Sequence, residues 1–365
     1  MTHLPFNPAL EGLAVYQPGR PIEEVARELG LPVDDIIKLA SNENPLGPSP
    51  AALAAMEKTL KTLHLYPDGN AYYLKRALAA RLALDPRQVI LGNGSNEIIE
   101  FVGHALLEPG AEVVVSQYCF LVYPIITQLF KGKLVTVPAR NFGHDLEAMR
   151  RAITAQTRVI FVASPNNPTG TVVPSKEIEE FIDAVPPEIL VAIDEAYVEF
   201  LDQPADLLPR LRAGRQSNLL LMRTFSKIYG LAGLRLGYGL GHADLIAALE
   251  KVRQPFNTNA LVQAGAIAAL GDTEHIQRTR QNNAAGLRFY EEGFRRLKLE
   301  WVPSSANFIL VRVGDGSRIC AALQEQGVIV RPMGGYALPE WIRISIGTPA
   351  ENQRCLAVLQ GVLAA

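Results

Sequence analysis

Cysteine, one-sided charge and long apolar runs are all scarce in this chain, and each shortage excludes a class of protein. Three cysteines in 365 residues, Cys119, Cys320 and Cys355, lie far apart and are odd in number. They do not form a disulfide framework and suit free thiols in a reducing cytoplasm. The formal net charge is −2 and no long basic block stands out, which argues against nucleic acid as the main partner. No apolar stretch approaches the roughly 18 residues needed to cross a bilayer, so no membrane association is expected. The start, Met1 to Gly12, lacks the basic residues and apolar stretch of a signal peptide. The six histidines show no metal-ligand spacing. His144 precedes a helix that Asp145 is placed to cap. Internal repeats and low-complexity segments are missing too.

What is present describes a large globular protein. Hydrophobic residues make up 48% and charged residues 20%, and the length suits two domains. Short apolar runs read as strands: Val89 to Leu91, Glu112 to Val115, Leu134 to Val137, Val159 to Ala163, Ile189 to Ile193 and Leu219 to Met222. Runs this short and this apolar belong to a sheet covered on both faces. Helical segments alternate with them, including Asn96 to Leu107, Asp145 to Ile153 and Ser175 to Ala184. The rhythm predicts an α/β fold with a mainly parallel, doubly wound sheet. After about residue 255 a long helical region, Ala260 to Leu297, leads into strands at Asn307 to Val311, Gly327 to Val330 and Trp341 to Ser345, then a last helix. The expected organisation is an N-terminal arm at 1–40, packing on the small domain or a partner subunit, a large domain at 41–255 and a small α+β domain at 256–365.

Four stations at strand ends carry chemistry. In Gly92-Asn93-Gly94-Ser95-Asn96-Glu97 a glycine turn opens a helix whose free N–H groups face an anion. Glu97 replaces the third glycine of a dinucleotide fingerprint, and no acidic residue some twenty positions later stands at the end of a second strand, so nicotinamide binding is not indicated. Ser164-Pro165-Asn166-Asn167-Pro168-Thr169-Gly170 is a rigid turn at a strand's carboxyl end, where open sheets place ligands. Its Asn167 can donate to a ring oxygen. Asp194 ends the next apolar run. A buried carboxylate there calls for a cation such as a protonated pyridine, and Tyr197 is three residues away. Lys227, just past Leu219 to Met222 and between the hydroxyls of Thr224 and Ser226 and the guanidinium of Arg235, can condense with an aldehyde cofactor whose phosphate its neighbours hold. In chain order these are phosphate loop, ring asparagine, ring aspartate and lysine, the parts that pyridoxal 5'-phosphate (PLP) requires.

The chain resembles the fold-type I PLP-dependent aminotransferases, and within them the histidinol-phosphate aminotransferases. The likeness runs through Leu39-Ala40-Ser41-Asn42-Glu43-Asn44-Pro45-Leu46-Gly47-Pro48, Tyr66-Pro67-Asp68-Gly69, the turn at 164–170, Asp194 to Tyr197, Ser226 to Arg235 and Arg343-Ile344-Ser345-Ile346-Gly347. It implies that Lys227 anchors the cofactor and moves the substrate proton, that Asp194 pairs with the pyridine nitrogen, and that Asn167 and Tyr197 meet the ring oxygen. Ser95, Asn96, Thr224, Ser226 and Arg235 would hold the phosphate. Phe120 or Tyr118 would stack on the ring; Phe120, three residues before Tyr123, fits the family spacing better. Tyr66 would reach the neighbouring subunit's cofactor, which implies a homodimer. Tyr16, Arg331 and Arg343 would bind substrate, since guanidinium groups suit both carboxylate and phosphate. A tyrosine that the family tends to carry near the second domain has no counterpart in Arg253 to Asn259. The implied reaction is transamination between glutamate and imidazole-acetol phosphate in histidine biosynthesis. An aromatic-amino-acid aminotransferase, or a PLP-dependent lyase or decarboxylase, would share the cofactor residues.

Overall fold

The computed structural model describes residues 4–13, 15 and 19–364. After β1 (Ile37–Lys38) come the strands of the main sheet: β2 (Val89–Gly92), β3 (Glu112–Ser116), β4 (Lys133–Val137), β5 (Thr157–Ala163), β6 (Leu190–Asp194), β7 (Leu219–Thr224) and β8 (Gly237–Gly241). They form one seven-stranded sheet in the order β2-β8-β7-β6-β5-β3-β4. All junctions from β7 to β4 are parallel, while β8 runs antiparallel between β2 and β7.

The twofold period of a strand explains the continuous apolar runs. Val191 and Ile193 of β6 enter one core with Leu219, Leu221, Ile160 and Val162. Leu190 and Ala192 enter a second core on the opposite face with Leu220, Met222, Val159 and Phe161. Fully burying one such side chain is worth about 1.5–3 kcal/mol, so helices on both faces are required by the sequence of the strands. The strands expected of this sheet and the helices expected between them all form. β8 has no apolar run to announce it: it reads Gly-Tyr-Gly-Leu-Gly. A Cβ on Gly237 would stand 2.2 Å from the Ser95 backbone nitrogen, so this strand is glycine-rich because a helix start rests on it.

The second layer contains β9 (Trp301–Val302), β10 (Phe308–Arg312), β11 (Val328–Ile329), β12 (Arg331–Pro332) and β13 (Trp341–Ser345). Four of these make an antiparallel sheet in the order β12-β13-β10-β9, and β11 pairs in parallel with β1. The helices Thr273–Leu297, Gly316–Glu325 and Pro349–Ala364 close its core around Tyr290, Phe294, Ile309, Ile319, Ile342 and Leu359. The arm reaches this layer through β1 and the helix Ile22–Leu29, whose Val25 and Ala26 pack with Ile329.

The helical region after residue 255 differs from the sequence expectation. It breaks at Asp272, whose side chain accepts from the His275 N–H and caps the second helix. The first helix, Ala260–Gly271, is apolar nearly all round and shares the main core: Val262 and Ala266 pack with Ala52, Leu74 and Leu78. A boundary at 256 therefore falls before a helix that packs with the large layer.

Candidate active site

The carboxyl ends of β5, β6 and β7 open onto one cavity of about 220 Å³. Ser95, Asn96, Phe120, Asn167, Asp194, Tyr197, Thr224, Ser226, Lys227, Arg235, Arg331 and Arg343 all line it. Residues spread from 95 to 343 thus meet in one place. Tyr66 does not line this cavity; it is exposed and stacks on Phe256, ring centroids 4.6 Å apart. Tyr118 turns away to stack on Phe142 at 5.8 Å, and Phe120 is the aromatic of its stretch on the cavity wall. Tyr16 lies outside the described residues.

One end of the cavity is built for an anion. The helix Ser95–Leu106 starts there and directs its first N–H groups and dipole into the space. Gly94, at φ 79° and ψ 163°, occupies a region open essentially to glycine alone. A Cβ on it would stand 2.3 Å from Arg235 Nη2, so the guanidinium lies directly over the loop. Arg235 Nη1 reaches Ser226 Oγ at 3.4 Å, and the Ser226 N–H donates to Thr224 Oγ1 at 3.1 Å. Glu97, which broke the dinucleotide pattern, closes the loop: its Oε2 accepts from the Asn93 N–H and from Asn257 Nδ2, both at 2.6 Å.

The middle of the cavity has the complementary need. Asp194 is buried at the end of β6; it accepts from the Tyr123 hydroxyl at 2.7 Å and the Ala196 N–H at 3.1 Å. Both donors are neutral, and burial raises the carboxyl pKa above its ordinary value, with neighbouring Glu195 adding to the rise. Arg223 on β7 is paired with Glu195 at 2.7 Å, which leaves Asp194 as the carboxylate facing the cavity. A ligand with a cationic ring nitrogen would meet that need. No local signal gives Tyr123 this role: it is 71 residues from Asp194 in sequence, and the sheet brings the two into direct contact.

Lys227 extends from the loop after β7, with Nζ 3.3 Å from the Ser41 carbonyl and 5.7 Å from the centre of the Tyr197 ring. Removal from water lowers its pKa to about 8, with nearby Arg343 and Arg235 acting in the same direction. Near neutral pH a usable fraction is then free amine, the form that attacks a carbonyl. Burial raises the Tyr197 phenol to about 12, so it stays protonated, and its oxygen accepts from Asn42 Nδ2 at 3.0 Å.

The far end is held by arginine. Arg343 on β13 donates to the Asn167 side-chain oxygen and to the Ala40 carbonyl, and lies 5.2 Å from the Phe308 ring centre. Three separate segments orient this one guanidinium. Arg331 is its direct cross-strand partner, two like charges on neighbouring strands. Like charges placed opposite one another favour an anion beside them. Tyr336, which no local signal marks, lines the cavity beside them.

Known proteins resemble this chain over nearly its whole length. The family model described as aminotransferase class I and II matches residues 34–359. The histidinol-phosphate aminotransferase of Akkermansia muciniphila is 53% identical over 96% of this chain and 96% of its own length. Histidinol-phosphate aminotransferase 1 of Thiobacillus denitrificans is 52% identical over 98% of this chain and 93% of that protein. Among solved structures, histidinol-phosphate aminotransferase from Sinorhizobium meliloti in complex with pyridoxal-5'-phosphate superposes with a TM-score of 0.90 at 30% identity, covering 100% of this chain and 98% of that one.

Proposed function

We propose a function on one premise: the chain belongs to the class I and II aminotransferase family. It is a PLP-dependent aminotransferase of fold type I, and its reaction is the transfer of an amino group between glutamate and imidazole-acetol phosphate, giving 2-oxoglutarate and histidinol phosphate in histidine biosynthesis. The relatives that share half of its residues over nearly its whole length carry that name.

The residues at the cavity fit the cofactor. The helix start at Ser95 and Asn96, with Thr224, Ser226 and Arg235, suits its phosphate. Asp194 suits the protonated pyridine, Tyr197 and Asn167 its ring oxygen, and Phe120 the ring face. When bound, PLP supplies an aldehyde that captures an amine and a protonated ring that accepts the electron pair left when the substrate Cα–H bond breaks. Lys227 Nζ anchors that aldehyde and, once released, is the base that takes the Cα proton and the acid that returns it. Asp194 keeps the ring nitrogen protonated. Arg343 binds the carboxylate of glutamate, and Arg331 beside it the distal carboxylate or the phosphate ester, so one site serves both halves of a ping-pong reaction.

The observation that carries the substrate reading is the cross-strand pair Arg331 and Arg343 at the edge of the cavity that holds Lys227 and Asp194. An aromatic amino acid brings one anion, whereas glutamate brings two and histidinol phosphate a doubly charged ester. With 2-oxoglutarate as acceptor, kcat/KM for histidinol phosphate is expected to exceed that for phenylalanine or tyrosine by about 100-fold. That is the worth of one or two charged hydrogen bonds of about 1.5–3 kcal/mol each. Equal or reversed values would make this an aromatic aminotransferase.

Assembly follows the same reading. Leu60, Leu63, Leu65, Tyr66 and Tyr73 are exposed close together in sequence, with Phe256 against Tyr66. This apolar surface supports a homodimer in which Tyr66 reaches the partner's cofactor phosphate. No helix among the described residues is long and apolar enough to cross a membrane. The described cysteines are free, which supports a reducing, cytoplasmic setting.

A further inference from the structure

Asn42 and Ser345 form a wired pair next to Tyr197. Asn42 is 1% exposed, and its backbone sits at φ 55°, a left-handed conformation that asparagine tolerates better than most residues. Ser345 Oγ accepts the Asn42 backbone N–H at 2.8 Å and lies 3.0 Å from Asn42 Oδ1. An oxygen that accepts from the backbone still has its own proton to give, and it gives that proton to Oδ1. This orients the amide: Nδ2 is left facing the Tyr197 oxygen at 3.0 Å, and it can only donate. The phenol oxygen then has one lone pair occupied, and its own O–H is free to point into the cavity that Tyr197 lines. Asn307 Nδ2 holds the Asn42 carbonyl at 2.9 Å, so the amide is fixed from the side of β10 as well.

The strand period adds the functional link. Ser345 is two residues from Arg343 on β13, so both present to the same face. The strand that carries the proposed substrate arginine thus also carries the hydroxyl that sets the direction of the chain Ser345 to Asn42 to Tyr197.

We propose that Asn42 and Ser345 are positioning residues that hold Tyr197 as a hydrogen-bond donor toward the cofactor's ring oxygen, so that the seating of β13 sets the polarity at that oxygen. This rests on the cofactor reading above. The charged and titratable groups that face Tyr197 are Lys227 from the loop after β7, Asp194 from β6, Arg343 from β13, Tyr336, and Tyr123 from the helix Val122–Leu129. None of them is altered by the test.

The test uses Asn42→Asp and Ser345→Ala in the full chain loaded with PLP. Aspartate keeps the size and tolerates the left-handed backbone, but it accepts where asparagine donated. It accepts a hydrogen bond from the Tyr197 O–H and so reverses that link, while Ser345 Oγ still donates to its other oxygen. The ring oxygen, deprived of its donor, becomes more basic and holds its shared proton more tightly. The pH midpoint of the bound cofactor's visible absorbance should move up by about one unit in Asn42→Asp, a tenfold change in proton affinity. The dissociation constant for PLP should rise about tenfold. Ser345→Ala should shift both in the same direction by less. A purely structural role would lower the unfolding temperature and leave the midpoint in place, and midpoints equal to wild type in both variants would overturn the proposal. If wild type itself shows no visible band with PLP, the cofactor reading falls and this inference with it. If wild type shows the band and the variants match it, only the inference falls.

Discussion

Burial tunes the individual side chains of this site. Lys227 carries an amine whose pKa falls to about 8 because it leaves water beside two arginines. It is protonated below that value and free above it. The rate at which the apo-protein captures PLP should therefore rise as pH increases through about 8, not near the 10.5 of ordinary lysine. A rate flat across pH 7 to 9, followed by stopped-flow absorbance, would contradict that environment. Lys227→Ala should lose the visible band of the bound cofactor and at least about a thousandfold in turnover. Asp194 is tuned in the opposite sense, raised by burial until a cation arrives. Truncating one partner of a buried charge pair costs about 2–5 kcal/mol, so Asp194→Ala should raise the PLP dissociation constant at least about thirtyfold by fluorescence titration.

Elements place these side chains at their ends and depend on a few close approaches. The loop from β2 into the helix Ser95–Leu106 needs Gly94 for its backbone angles and for the guanidinium above it. Gly94→Ala should destabilise the fold by about 1–3 kcal/mol and weaken binding of inorganic phosphate to the apo-protein by displacing Arg235. Calorimetric titration reads the second effect separately from the first. The end of β5 carries a different device. His144 Nε2 bonds the Ala163 carbonyl at 2.8 Å, and burial lowers the ring's pKa to about 4 from 6.5. The unfolded chain binds this proton below 6.5 and the folded chain only near 4. The stability that neutral His144 contributes is thus complete at pH 7 and lost as pH falls from 6.5 toward 4, about 3 kcal/mol in all. In His144→Gln the dependence of urea stability on pH should flatten over that window.

For the whole molecule, the second layer completes the cavity that the main sheet begins. Arg343 from β13 meets Asn167 and Ala40, and the Ser305 N–H donates to the Gly170 carbonyl at 2.9 Å, so both layers hold the turn at 164–170. The exposed surface around Tyr66 is where the proposed homodimer would close. Leu63→Glu combined with Leu65→Glu should convert the dimer to monomer by analytical ultracentrifugation and weaken PLP binding together. A dimer that persists would move the interface elsewhere.

Much of this was readable along the chain because it is local. Strands show as apolar runs when both of their faces are buried, and Asp194, Asn167 and Lys227 stand at the ends of three of them. Ser95 follows a glycine turn for the same reason. What could not be read is what chain folding brings together from a distance. β8 is silent because glycine clears space for a helix start 142 residues away in sequence, Gly237 against Ser95. The helix Ala260–Gly271 looks like the start of a second domain until its apolar circumference is seen packed on the first. Tyr123 under Asp194, Tyr336 beside the arginines, and Ser345 turning Asn42 toward Tyr197 leave no local trace, because a hydrogen bond across 71 or 303 residues has no periodicity. The order of residues was enough to name the chemistry, since strand ends announce themselves by burial. The amide of Asn42 is turned toward Tyr197 by contacts that exist only once the two layers are packed.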